Sequence, residues 1–191
     1  MEFNSLNKII IKKKEKLDLL KNKLKVEDLK YKIDKIDKFL DFKQKIYSNY
    51  SNGKFSIIAE IKQASPSAGN IIKDYNPVTI AEIYEKNRAT CLSVLTEEDF
   101  FNGRLDHISK IKEKINLPIL CKDFFIDKFQ IPLAKSFGAD AILLIVAALN
   151  QNQLEELYKT ALEYKMSVII EVHTIEEAKR ITSFKNAIIG I

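Results

Sequence analysis

The stretch Ile58-Ala59-Glu60-Ile61-Lys62 begins as a short apolar strand and ends with two charged residues at alternate positions. Side chains alternate across a strand, so Glu60 and Lys62 share one face with Ile58. A buried carboxylate or ammonium group is costly unless it is paired. The stretch therefore predicts a core strand whose carboxyl end carries ionisable groups that need partners.

Apolar runs of this kind alternate with helical patterns from residue 55 to residue 191. The runs are Ser56–Ile61, Cys91–Leu95, Pro118–Lys122, Asp140–Val146, Ser167–Val172 and Ala187–Ile191. Asn76-Pro77 and a capping box that opens at Thr174 mark helix starts, and Gly138 marks a helix end. Almost wholly apolar strands are typical of parallel sheets that are buried on both faces. The six repeats therefore predict an α/β fold with a parallel sheet.

Two parallel architectures compete for this pattern. A doubly wound nucleotide-binding fold usually has a glycine-rich turn after its first strand, but residues 63–69 contain no G-x-G-x-x-G. A (β/α)₈ barrel instead places polar functional residues at the carboxyl ends of several strands. Glu60, Lys62, Lys122 and Glu171 occupy such positions, so we favour the (β/α)₈ barrel.

The charged strand ends are the candidate functional site. The alternation that turns Glu60 and Lys62 inward also turns Lys122 inward with Leu120 and Phe124, and Glu171 inward with Ile169. Two lysines and two carboxylates from three strands are thus expected to converge at one mouth of the barrel. They form either a salt-bridge cluster that holds the barrel together or a catalytic cluster whose mutual pairing tunes proton transfer.

A basic segment precedes the repeats. Residues 1–54 hold 15 lysines and 8 acidic residues, a balance of +7, whereas residues 55–191 have a balance of −2. Apolar residues recur at helical spacing in two sets, Leu6, Ile9, Ile10, Leu17, Leu20, Leu24 and then Ile33, Ile36, Leu40, Phe42. We predict two amphipathic helices followed by a loop over residues 48–53. Residues 1–50 are assigned to a helical extension packed on the barrel, and residues 51–191 to barrel units one to six of the same domain.

The lysine-rich faces admit three interpretations, which are solvation, attraction of an anionic ligand, and binding to a nucleic acid or a membrane. Arginine is the usual reader of bases and phosphates and is absent from residues 1–54, so neither a nucleic acid nor a membrane is the expected partner.

Several classes of protein are disfavoured by composition. The longest uncharged apolar run, Ala141–Leu149, has nine residues, whereas a membrane-spanning helix needs roughly 20. Met1-Glu2 opens no apolar segment, so no secretory signal is predicted. Cys91 and Cys121 lack metal-site spacing and are interpreted as buried thiols of a cytoplasmic protein.

These motifs resemble a known family, indole-3-glycerol phosphate synthase of tryptophan biosynthesis. The matching stretches are residues 58–67, 92–97, 101–103, 118–124, 138–145 and 170–173. The resemblance spans the whole chain, because the family also has a helical amino-terminal extension. It implies a (β/α)₈ barrel. Another phosphate-binding sugar isomerase barrel lacks the Glu60-x-Lys62 pair and the Lys122-Asp123-Phe124 motif and is not favoured.

The resemblance also implies a reaction, namely conversion of 1-(2-carboxyphenylamino)-1-deoxyribulose 5-phosphate to indole-3-glycerol phosphate, carbon dioxide and water, with no cofactor and no metal. In that reading Lys122 is the general acid at the carbonyl oxygen. Lys62 holds an anionic group of the substrate and can donate the proton for dehydration. Glu171 is the general base or cation stabiliser at the anilino nitrogen, and Glu60 orients Lys62 and contacts substrate.

Family positions that line the substrate pocket are matched by Phe101, Phe124 and Leu143, and Ser65 matches a polar substrate contact. Ordinary barrel packing is the alternative for Phe124 and Leu143, and a turn is the alternative for Ser65. His107 and His173 match no catalytic position of the family and are interpreted as surface or loop residues.

The end of the chain departs from the family pattern. Residue 191 lies inside the predicted sixth strand, and the family's next residue is a catalytic-site asparagine. We therefore expect a barrel that is truncated after about six strands in this chain. The alternatives to an active synthase are an inactive barrel fragment and a partner-dependent binding module. Self-association through exposed barrel edges is possible in either case, and the expected ligand is a small anionic phosphorylated substrate.

Overall fold

The computed structural model of the protein describes residues 3–191, and its side chains from residue 6 onward. Met1 and Glu2, on which the prediction of no secretory signal rests, lie outside the described residues. Among the described residues, no helix is both long enough and apolar enough to cross a membrane.

Six parallel strands form one sheet and pair in the order in which they occur in the chain. They are β1 (Ile58–Ile61), β2 (Cys91–Leu95), β3 (Ile119–Lys122), β4 (Ala141–Ile145), β5 (Ser167–Glu171) and β6 (Ile188–Gly190). Each lies within a predicted apolar run, so the predicted strands are confirmed. A two-stranded antiparallel ladder of residues 64–65 and 69–70 follows β1.

Five helices connect successive strands and cover the outer face of the sheet. Their bounds are α4 (Pro77–Lys86), α5 (Asp106–Lys112), α6 (Gln130–Ser136), α7 (Gln151–Glu163) and α8 (Ile175–Arg180). Outward side chains such as Val94, Ile142 and Ile170 are fully buried beneath them in the largest apolar cluster. This is the βα repeat of a parallel barrel, and the described residues supply its first six strands.

Local sequence explains where these helices begin and end. The Asn76 side chain accepts hydrogen bonds from the backbone N–H groups of Val78 and Thr79 and so caps α4. Thr174 caps α8 by accepting from the Glu177 backbone, but the Glu177 carboxylate accepts from His173 rather than from Thr174. The predicted capping box is therefore only half formed. Gly138 adopts a φ of +96° just after α6, where a side chain would be strained.

The amino-terminal extension has three helices, α1 (Phe3–Lys21), α2 (Val26–Ile33) and α3 (Phe42–Ser51), and the prediction of two helices is wrong. The second apolar set spans the link between α2 and α3. The Asp41 side chain accepts from the backbone N–H of Gln44, 2.8 Å away, and this cap starts a new helix at Phe42.

The predicted loop over residues 48–53 is also wrong for most of its length, since α3 continues to Ser51. Phe42 and Ile46, one turn apart on the same face of α3, pack into the barrel. That burial favours a full helix over the local preference of serine and asparagine for loops.

The two ends of the barrel are covered by different helices of the extension. Phe42 of α3 packs against Cys91, Leu120 and Ala141, which lie at or near the amino-terminal ends of their strands. Ile9 of α1 packs against apolar side chains at the carboxyl ends. The placement of the domain boundary near residue 50 stays a prediction.

Candidate active site

Glu60 binds two lysines at the carboxyl end of the sheet. Lys62 Nζ lies 2.7 Å from Glu60 Oε1, and Lys122 Nζ lies 2.8 Å from Glu60 Oε2. All three side chains are roughly one-third exposed, at 30% for Glu60, 33% for Lys62 and 35% for Lys122. The carboxylate therefore holds two ammonium groups beside each other at a surface that a ligand can reach.

Partial burial raises the pKa of Glu60, but hydrogen bonds and charge interactions with Lys122 and Lys62 outweigh it and hold the pKa below its usual value. Glu60 is thus ionised at neutral pH. The ionised carboxylate therefore orients the two lysines and has no proton of its own to donate.

Glu171 of β5 reaches the same cavity as Glu60 of β1, although three strands separate β1 from β5 in the sheet. Only a curled sheet brings these side chains together. Glu171 is half-buried, and His173 Nε2 lies 3.4 Å from Glu171 Oε1.

A partly open pocket of about 160 Å³ lies between the charged groups and an apolar wall. Of the predicted wall residues, Phe101, Phe124 and Leu143 all line it and are buried. The Phe101 and Phe124 ring centroids are 6.2 Å apart, with the ring planes at 39°. A cavity with aromatic sides and a cluster of charges at one end suits an anionic aromatic ligand.

Three further residues that line the cavity were not predicted, namely Leu95, Asp123 and Ile145. Leu95 and Ile145 stand at the carboxyl ends of β2 and β4, and the period-two rule applied to those strands identifies both. Asp123 follows Lys122 directly, but the partners that bury it are distant in sequence.

Ser65 does not line this cavity. It lies in the short antiparallel ladder, where its hydroxyl accepts a hydrogen bond from the Ala68 backbone at 3.2 Å. Its contact with substrate therefore stays a prediction, and the structure gives it a role in the turn.

The two histidines differ from each other. His173 is exposed, as predicted, but His107 is buried in α5, so its assignment to the surface is wrong. The His107 ring packs against the Tyr75 ring with centroids 5.5 Å apart and the ring planes tilted by 52°, and Nδ1 has no hydrogen-bond partner among the described residues. Burial lowers the pKa of His107, which suits a neutral packing residue.

The loop after β2 positions Phe101 through the buried side chain of Glu97. The Glu97 carboxylate accepts hydrogen bonds from the backbone N–H groups of Asp99 at 3.2 Å and Phe100 at 2.8 Å. Gly103 closes the loop, donating from its N–H to the Glu97 carbonyl at 2.7 Å. A Cβ at Gly103 would meet the Leu95 carbonyl oxygen at 2.5 Å, so only glycine fits this approach.

Helix α1 packs behind the apolar wall of the cavity. Ile9 is buried among Leu95, Phe101 and Phe124, and Leu6 and Ile10 pack against the same cluster. The extension thus supports the side chains that form the apolar wall of the site.

Two larger grooves, of about 950 Å³ and 790 Å³, lie between the extension and the outer helices α6 and α7. Neither is lined by residues from the carboxyl ends of β1, β3 or β5. Because barrel chemistry resides at those strand ends, the smaller cavity is the candidate active site.

Comparison with known proteins places these features in a family. The family model of indole-3-glycerol phosphate synthase matches residues 6–191. The chain is 40% identical over 191 residues to the indole-3-glycerol phosphate synthase of Trichodesmium erythraeum, and 45% identical over 189 residues to that of Prochlorococcus marinus subsp. pastoris. It is matched over 98% of its own length in both cases and spans 63% of the length of each relative.

The fold is also found among solved structures. Tryptophan synthase subunit alpha from Legionella pneumophila matches 78% of this chain and 65% of its own with a TM-score of 0.54. At 12% sequence identity, this likeness shows the fold alone.

Proposed function

The chain belongs to the indole-3-glycerol phosphate synthase family, and from that premise we propose that its site converts 1-(2-carboxyphenylamino)-1-deoxyribulose 5-phosphate to indole-3-glycerol phosphate, carbon dioxide and water. The observation that carries the proposal is the geometry of one cavity. Lys62 and Lys122 share the Glu60 carboxylate at its charged end, and Phe101 and Phe124 form its aromatic side.

Lys122 is the general acid for ring closure. When the aromatic carbon attacks the ribulose carbonyl, negative charge develops on the carbonyl oxygen. An ammonium group held in place at the cavity offsets that charge and delivers the proton. The hydrogen bond to Glu60 keeps the Lys122 amine aimed at the cavity before substrate arrives.

Lys62 and Glu171 serve the steps that follow. Lys62 binds the carboxylate or phosphate end of the substrate and can donate the proton for dehydration. Glu171 acts as a general base or stabilises positive charge at the anilino nitrogen. Glu60 orients both lysines, because it is the one carboxylate in contact with both among the described residues.

The apolar wall binds the anthranilate ring of the substrate. Phe101, Phe124 and Leu143 present buried apolar surface to the cavity. Ser65, which lies in the short ladder after β1 and outside this lining, is proposed to supply a polar contact to the substrate. These steps require proton transfers and charge stabilisation, which lysine and glutamate side chains supply.

The protein acts on a small phosphorylated molecule in the cytoplasm. Cys91 and Cys121 are free and buried, and burial raises the pKa of each thiol to about 12. Unpaired, protonated thiols fit a reducing compartment.

The test adds the substrate to the purified protein and follows indole fluorescence as the product forms. We expect product in the parent protein and in the control Lys128→Ala, an exposed lysine paired with Glu156. We expect the rate of product formation to fall by roughly 100-fold or more in Lys122→Ala.

Quenching of the aminobenzoate fluorescence of the substrate measures binding separately from turnover. Binding that Lys62→Ala weakens supports the site even where turnover is absent. A parent protein that shows no substrate binding and no turnover would contradict the proposal.

A further inference from the structure

The least exposed ion pair between α1 and the barrel loops, among the described residues, joins Lys13 to Asp123. Lys13 Nζ lies 2.6 Å from Asp123 Oδ1, and the two side chains are only 11% and 9% exposed. The other lysines of α1 that bind barrel loops are more exposed, with Lys16 at 32% and Lys21 at 37%. Removing one partner of so buried an ion pair is strongly destabilising, because the other charge is left unpaired and away from water.

Asp123 also holds two other segments. Its Oδ2 accepts a hydrogen bond from the Thr96 hydroxyl at 2.8 Å, and its Oδ1 accepts from the Phe124 backbone N–H at 2.7 Å. One carboxylate therefore fastens α1, the end of β2 and the loop after β3.

The location of this junction matters more than its strength. Asp123 stands between Lys122 and Phe124, and all three line the same cavity. Removing Lys13 would leave a nearly buried carboxylate whose other cations within the cavity lining are Lys62 and Lys122. The freed carboxylate would add an unpaired negative charge beside the cluster that Glu60 forms with those lysines.

We infer that Lys13 is a positioning residue of the active site, which neutralises Asp123 and thereby keeps Lys122 on Glu60 and Phe124 against the cavity. The inference rests on the proposed function for its catalytic consequence. Its structural content is that α1 sets the geometry of the general acid and does not merely cover the barrel.

The first test compares substrate affinity and turnover in Lys13→Met, Asp123→Asn and the double variant. Each single variant should lose between about tenfold and about 100-fold in kcat or affinity, as expected when reacting groups are misplaced by about 1 Å. The double variant should lose no more than the worse single variant, since both changes remove the same pair. Lys13→Arg should restore most of the loss.

Lys16→Met is the matched control, because it removes a lysine of the same helix whose partners, Glu98 and Asp99, lie outside the cavity lining. It should change affinity and turnover by less than about twofold. Equal losses in Lys13→Met and Lys16→Met would reduce the effect to general stabilisation of α1 and overturn the inference.

The second test needs no substrate, so it separates this inference from the proposed function. Lysine labelled with ¹³C at Cε gives an NMR signal for Lys122, assigned by its loss in Lys122→Arg. That signal should move in Lys13→Met and Asp123→Asn, stay in place in Lys16→Met, and return towards its original position in Lys13→Arg.

An unmoved Lys122 signal in folded Lys13→Met overturns the inference whether or not the protein turns substrate over. A parent protein that neither binds nor converts substrate, but whose Lys122 signal responds to Lys13, overturns the proposed function alone. If Lys13→Met does not fold, Asp123→Asn and Lys13→Arg carry the same comparison.

Discussion

Lys122 Nζ donates a 2.8 Å hydrogen bond to Glu60 Oε2 across 62 positions of sequence. The two residues lie on strands that are not neighbours, because β2 pairs between β1 and β3. Curvature of the sheet, with the inward direction of both side chains, brings them together over the β2 end. The hydrogen bond between Lys122 and Glu60 therefore depends on the curvature of the sheet at the site.

Lys122→Ala should lower turnover by roughly 100-fold or more in an active form of the enzyme, with a modest change in substrate affinity. The reason is that the amine acts on charge that develops only in the transition state. Steady-state indole fluorescence gives kcat and KM for Lys122→Ala and for the control Lys128→Ala. Near-normal kcat in Lys122→Ala would remove Lys122 from the role of general acid.

Glu60→Gln should destabilise the protein at neutral pH, and the difference should disappear in acid. Burial raises the pKa of Glu60, but the ion pairs with Lys122 and Lys62 outweigh burial and set the pKa in the folded protein below its usual value of about 4.3. A lowered folded pKa contributes stability above the unfolded pKa and loses it as the pH falls through the folded pKa. Urea unfolding between about pH 7 and about pH 3 measures the change.

The control for Glu60 is Glu163→Gln, an exposed carboxylate without an ion pair among the described residues. It should show little pH-dependent difference from the parent protein. A destabilisation by Glu60→Gln that stays constant down to about pH 3 would mean that lost packing, and not lost charge, is responsible.

Gly103→Ala should cost about 1–3 kcal/mol of unfolding free energy, because its Cβ meets backbone atoms of Leu95 and Thr96 that cannot move aside cheaply. Gly190→Ala is the control, since a Cβ there would meet Ile169 Cγ2 at an ordinary 3.5 Å. That control should stay within about 0.5 kcal/mol of the parent protein. Denaturant unfolding measures both, and equal effects would refute the tight approach at Gly103.

Removing charge from the extension should weaken substrate capture at low salt. The change is Lys8, Lys14 and Lys23 to Gln, three exposed lysines of the basic segment. Their field attracts an anionic substrate over distances of about 10 Å at moderate ionic strength, so kcat/KM should fall less steeply with added salt in the variant. Lys114, Lys159 and Lys179 to Gln form the control with equal loss of charge. An identical salt dependence of kcat/KM in all three proteins would mean that these lysines only solvate the helix surface and do not attract the substrate.

The chain of residues 1–191 should self-associate in solution. β1 and β6 have one strand neighbour each among the described residues, and Ile189 and Ile191 are exposed. Such edges offer unpaired backbone groups and apolar side chains to a second chain. Light scattering should show a mass that rises with concentration, and less so in Ile189→Lys. Ile83→Lys, an exposed isoleucine of α4, is the control, and a monomer at every concentration contradicts the prediction.

Local patterns predicted most of the barrel. Each strand from β1 to β6 was visible as an apolar run, and period-two alternation identified the inward direction of Glu60, Lys122 and Glu171. These features depend only on alternation between sequence neighbours and on burial of both faces of the sheet. The apolar composition of each strand segment indicates that burial directly.

The extension was predicted less well, because its helices are decided by packing. The apolar residues from Ile33 to Phe42 have helical spacing, yet the Asp41 cap and the burial of Phe42 start a separate helix there. The helical end of α3 contradicts the loop preference of its serine and asparagine residues for the same reason. His107 was misplaced because a polar residue on an apolar helix face gives no local sign of its burial.

The sequence by itself determined the strand order, the inward set of charged residues and the family to which the chain belongs. Only the tertiary structure decided that Glu60 joins both lysines, that α1 packs behind the apolar wall of the cavity, and that Lys13 is the partner of Asp123. The reason is that spacing along the chain encodes which face a side chain occupies. Which distant face it meets depends on the curvature of the whole sheet and on where the extension docks.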